Sequence, residues 1–220
     1  MTLYIITIVI MVITGLTSYR AFEDRKLKAQ FIFLPAKIKE TGEWYRFFSS
    51  GLIHADWMHL LFNMYVLYSF GQSVEQYFGY YFGEIFGRIL YLVMYVLAIG
   101  ASSIPDYKKH QNYYGYAALG ASGAVSAVVF ASIFFSPWQG GIGLLFIPGS
   151  IPPMLFGALY LWYSSYMAKR QMDNIGHNAH FWGAVFGFAF TLLISLIFQF
   201  GLVEYFFSEL YNGLLVSNWF

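Results

Sequence analysis

Six apolar runs separated by polar connections constrain this chain more than any other feature it has. They cover residues 3–19, 55–70, 85–103, 119–135, 154–167 and 179–200. Each is rich in Leu, Ile, Val and Phe and approaches or exceeds what is needed to cross a hydrocarbon core of about 30 Å. In lipid the backbone must satisfy its own hydrogen bonds, so each run is predicted to be a helix. With 59% hydrophobic and 10% charged residues, the chain holds more apolar surface than a soluble domain of 220 residues can bury. The expected fold is therefore all-α, a polytopic membrane bundle of six transmembrane helices. One membrane domain is expected over 1–200, with an amphipathic first loop at about 20–48 and an amphipathic tail over 201–220. The first run has no basic leader and no A-x-A-like cleavage site, so a retained helix is expected rather than a signal peptide.

Composition also removes several function classes. Twelve basic residues, scattered among the connections, give a net charge of +1 and no footprint for nucleic acid. The absence of cysteine excludes disulfides and thiolate-held metal. The first connection mixes charges with FIFLP and EWYRFF, so it should lie on or partly in the membrane surface, structured by Trp44 and Arg46.

Polar side chains inside apolar runs are costly and therefore mark function. In the fourth run Ser122 stands between Gly120 and Gly123, which strip bulk from both sides of its hydroxyl. In the second, His59 and Asn63 lie one turn apart on one face, with His54 at the helix entrance. In the sixth, His180 shares a stripe with Gly183 and Gly187, a G-x-x-x-G that permits close helix contact. With six crossings, helices two, four and six begin on the same side of the membrane. Their polar residues fall in the first two to three turns and can converge at one depth.

A serine within reach of an imidazole is an activated nucleophile. The free N–H groups opening the fourth helix, including the Ser122 backbone amide, could face a developing oxyanion, with Asn63 and His59 as side-chain donors. No acidic residue lies inside helices two, four or six near the cluster, so the chemistry is that of a Ser-His dyad. Asp56 and Asp173, at the interface, rank low as orienting carboxylates. A three-histidine metal site is the competing chemistry, but no carboxylate or fourth ligand lies nearby.

These pieces resemble those of rhomboid intramembrane serine proteases. The matching segments are G-A-S-G at Gly120 to Gly123, A-H-x-x-G-x-x-x-G at Ala179 to Gly187, and H-x-x-x-x-H-x-x-x-N from His54 to Asn63. W-Y-R at Trp44 to Arg46 and G-x-x-x-E-x-x-x-G from Gly71 to Gly79 complete the set, in the expected order. The resemblance implies Ser122 as nucleophile, His180 as general base, and His59, Asn63 and the Ser122 amide as oxyanion donors. Gly120, Gly123 and His54 would support the site. It implies no metal or cofactor, transmembrane proteins as substrates, the lipid bilayer as surroundings, and a bacterial inner membrane as location. Two departures stand out. Ser126 occupies a position where family members often stack an aromatic ring on the catalytic imidazole, and Trp182 replaces a common glycine, so Trp182 or another aromatic is expected to hold His180.

Other polar residues have plainer readings. His177 and His110 are expected in polar loops, and Glu75 is expected to satisfy backbone amides at a tight turn on the far face. The rival function is a rhomboid-fold protein that binds transmembrane clients without cutting them, and such proteins lack the serine or the histidine. A transporter is disfavoured by the lack of membrane-embedded acids lining a pathway. Loop charge and family resemblance disagree on orientation. Eleven of the twelve basic residues fall on the side of the candidate site, which would make that side cytoplasmic, whereas bacterial rhomboids of six helices open their sites outward.

Overall fold

The computed structural model describes residues 4–143, 149–170 and 175–215. Among these the chain is all-α apart from one short antiparallel ribbon. The helices are α1 (Ile5–Glu23), α2 (Arg25–Phe31), α3 (Pro35–Thr41), α4 (Arg46–Ser49), α5 (Trp57–Phe82), α6 (Glu84–His110), α7 (Ser122–Phe135), α8 (Pro153–Arg170), α9 (His177–Phe198) and α10 (Phe200–Leu215). Strands β1 (Ile142–Gly143) and β2 (Ser150–Ile151) pair between α7 and α8. By length and composition α1, α6 and α9 can cross a membrane.

The bundle is built around α7. All of its side chains but those of Ser122 and Ser132 are buried, as befits a helix apolar on every face. It has 14 residues and so a length of about 21 Å, well short of a hydrocarbon core of about 30 Å. Its neighbours are α9, α5 and α6, with the most extensive packing against α9. That closeness has a specific cause. A Cβ added at Gly183 would lie 2.7 Å from the carbonyl carbon of Gly123, and one at Gly187 would lie 2.6 Å from that of Ala127. Hydrogen at these two positions lets the backbones touch.

The helices on either side of the expected runs extend through polar residues. The second run was expected to end at residue 70, but α5 continues to Phe82 because its polar stretch is satisfied. The buried Glu75 accepts hydrogen bonds from the Ile6 and Thr7 amides, at 3.0 and 2.9 Å, and from Thr7 Oγ1 at 2.8 Å. It therefore caps the first turn of α1, not a tight turn, where the helix dipole favours an anion. The third run was expected to stop at residue 103, yet α6 passes through Pro105 to His110.

The first connection is folded. Buried Arg46 donates Nη1 to the carbonyls of Ala29 and Ile32, both at 2.9 Å, closing the C-terminal end of α2, while its Nε is paired with Glu43. Trp44 packs on Phe47 and Tyr107. The tail forms α10, which buries Leu202, Val203 and Phe206, the last against Phe134 and Phe188, and is pinned where Trp138 Nε1 donates to the Glu209 carbonyl at 2.9 Å. The part of the tail beyond Leu215 lies outside the described residues.

Candidate active site

Ser122 is the first residue of α7, delivered there by a loop that the first connection holds in place. Phe33 and Ala118 form an antiparallel bridge, with N···O distances of 2.9 and 3.1 Å. Gly120 then donates its amide to the Ser50 carbonyl at 2.9 Å. Its φ of +120° is a conformation that side chains rarely adopt, and a Cβ there would lie 2.7 Å from Cε1 of His59. The fourth run was expected to become helical from residue 119, and this glycine is why the helix opens three residues later.

His54 supports the next residue. It is fully buried, and its Nε2 accepts the Ala121 amide at 3.3 Å while Nδ1 lies 2.9 Å from Ser18 Oγ. Because Ser18 donates to the Leu52 carbonyl at 3.0 Å, the proton between Nδ1 and Ser18 belongs to the imidazole. The neutral tautomer is thus specified by its partners. Burial first, then the neighbouring His59, lower its pKa to about 3, with Asp56 opposing weakly. His54 does not line the cavity described next; it stands behind the loop.

A wide, open cavity of about 2200 Å³ runs down one face of α7 between α5 and α8. His59, Asn63, Gly120, Ser122, Gly123 and His180 all line it. The N-terminal end of α7 has no side-chain cap, so the first-turn amides, that of Ser122 among them, are not covered by one. Asn63 is buried and spends one donor on the His59 carbonyl at 2.9 Å, leaving its second amide hydrogen for other use. Asp56 caps α5 by accepting the His59 amide at 2.9 Å. On α9, Ala179 and Gly183 lie against Gly123, so His180 enters the cavity beside the turn that carries Ser122.

The ring beside His180 is Tyr160 of α8, with centroids 6.4 Å apart and planes at 23°. Trp182, expected as one possible partner, is 41% exposed and meets Phe181 instead. Tyr160 OH lies 2.6 Å from Ser126 Oγ, and Ser126 Oγ donates to the Ser122 carbonyl at 2.8 Å. His177, expected in a polar loop with a solvated or capping role, is instead the buried first residue of α9, its ring edge-on to His180 and Tyr163. His110 ends α6 and stacks on Tyr116 with centroids 3.9 Å apart.

Tyr160 and one further group carry no clear signal in the sequence. Asp106, near the end of α6, is 6% exposed and accepts from Asn178 Nδ2 at 2.6 Å, two residues before His180. Burial and this carboxylate push the phenol of Tyr116 well above its ordinary range. Asp106 thus ties the start of α9 to the loop leading to Ser122. Its only sequence signal is an acid placed after Pro105, which by itself reads as a solvated helix end.

The family model for the Rhomboid domain matches residues 41–197. The chain is 25% identical over 192 residues to Rhomboid-like protein 15 of Arabidopsis thaliana, covering 83% of this chain and 43% of that protein. It is 27% identical over 182 residues to RHOMBOID-like protein 12, mitochondrial, of the same plant, covering 76% and 51%. The chain belongs to the rhomboid family of integral membrane proteins. It spans about half the length of these relatives, and neither supports the expected bacterial inner membrane.

Proposed function

We propose that this protein is an intramembrane serine endopeptidase that cuts peptide bonds in or near transmembrane segments of other membrane proteins. The observation that carries this reading is the shared cavity: Ser122 at an uncapped helix start and His180 on the helix packed most closely against it. In this reading His180 takes the Ser122 proton as Oγ attacks the scissile carbonyl. The tetrahedral oxyanion is received by the Ser122 amide, Asn63 and His59. His180 then returns the proton to the leaving amine, and water resolves the acyl-enzyme by the same route in reverse. The cavity's opening between α5 and α8 gives a substrate segment a lateral approach, and six crossings remain part of the reading. No nucleic acid or cofactor enters it.

Incubating detergent-purified protein with a fluorophosphonate and mapping the adduct tests the assignment. Ser122 is expected to be modified and Ser126 spared, because Ser126 is engaged with the Ser122 carbonyl and Tyr160. Ser122→Ala and His180→Ala should each abolish cleavage of a model transmembrane substrate with the fold intact. Asn63→Ala should lower kcat by about 10²- to 10³-fold with little change in KM. Near-wild-type cleavage by either dyad variant would assign the cutting to something other than this dyad and leave the client-binding reading for the protein itself.

A further inference from the structure

We propose that Tyr160 is the positioning residue of His180, fixing the imidazole by a stack whose height is set through Ser126. This rests on the protease reading above. Proton counting fixes the direction of the relay. Ser126 has one hydroxyl hydrogen and donates it to the Ser122 carbonyl, so the 2.6 Å contact is Tyr160 O–H donating to Ser126 Oγ. The phenol is thereby tethered to the backbone of the nucleophile's own residue, while its ring lies nearly parallel to the base, within the range of an offset stack. One side chain relates the two reacting groups, although it comes from a third helix.

The surroundings leave that ring little freedom. Phe130 and Phe156 pack on it with centroids at 5.7 and 5.8 Å. One turn earlier, Gly157 lets α8 approach α7: a Cβ there would lie 3.0 Å from Ile133 Cδ1. The resemblance places an aromatic ring on the imidazole from position 126, where this chain carries a serine. The ring of Tyr160 fills the orienting role by contact area and tether.

Because positions 126 and 160 face each other across a hydrogen bond, their side chains can be exchanged. The test compares Tyr160→Leu, Tyr160→Phe, Tyr160→Ser and the swap Ser126→Tyr with Tyr160→Ser, each for kcat, KM, fluorophosphonate inactivation rate and Tm. Tyr160→Leu keeps bulk but loses ring and hydroxyl, and a misplaced base can cost about 10²-fold, so kcat and inactivation should fall by that order with KM unchanged. Tyr160→Phe, which keeps the stack and loses the tether, should fall in between. Tyr160→Ser should resemble Tyr160→Leu, and the swap should recover activity toward wild type because it restores a ring and a hydroxyl to the same space. Wild-type kcat in Tyr160→Leu, or a swap no better than Tyr160→Ser at equal Tm, would overturn the assignment while leaving the protease reading in place. Absence of Ser122-dependent activity in the wild type would instead defeat the protease reading and this proposal with it.

Discussion

His54 shows how much a single side chain can do without touching substrate. It fixes the amide of Ala121, takes its tautomer from Ser18, and is kept neutral by burial. This has a thermodynamic consequence. An unfolded histidine takes up a proton below about pH 6.5, whereas the folded one resists until about pH 3, so between these values the unfolded state binds more protons. Stability should therefore fall as pH drops through the unfolded pKa, with no compensation until far lower. Thermal unfolding in detergent at about pH 7.5 and about pH 5 checks this: Tm should drop in the wild type, and the drop should shrink in His54→Asn. An equal drop in that variant would assign the effect to other groups, with His59, ring to ring at 4.9 Å, the first to consider.

At the scale of elements, the α7–α9 contact depends on two hydrogen atoms. Gly183→Ala would set a methyl against the Gly123 backbone, with its carbonyl carbon at 2.7 Å and Cα at 2.9 Å, and neither can rotate away. The helices must part, which carries His180 off its place. Activity should fall by about 10²-fold, with a loss of stability of about 1–3 kcal/mol from overpacking. Gly201→Ala, where nothing lies within 4 Å, is the matched control. Unchanged cleavage in Gly183→Ala would mean that the base does not need this contact. The stripe was legible from Gly183 and Gly187 alone, and so were the serine between glycines and the histidines at helix entrances, because small residues and polar intrusions stand out in apolar runs. The true length of α5 was not legible, since Glu75 reads as a helix end until its partners on α1 are known. Nor was Tyr160, one aromatic among many until α8 is placed against Ser126, nor Asp106, whose burial depends on α9.

For the whole molecule, orientation remains the sharpest disagreement between loop charge and family resemblance, and we propose the family orientation, with the candidate site facing outward. The folded first connection gives a reason. Buried Arg46 and Lys37, at 3.3 Å, share the Glu43 carboxylate, so part of the connection's positive charge is balanced locally. The chain has no cysteine, so single ones report cleanly. In intact cells a membrane-impermeant maleimide should label a cysteine at Lys26 and leave one at Asn212 protected; the opposite pattern would vindicate the charge rule.

The groove that receives α9 also imposes an order of events in time. Ser122 and its helix leave the ribosome well before His180 does, at roughly 5–20 residues per second, so for several seconds α7 stands in the bilayer with the carbonyls of Gly123 and Ala127 uncovered. During that interval the proposed nucleophile stands without its proposed base. Only the arrival of Gly183 and Gly187 closes the backbone gap, and the same contact brings in the imidazole. The α7–α9 contact and the proposed dyad form in one step, so a chain that ends before α9 lacks the proposed reactivity.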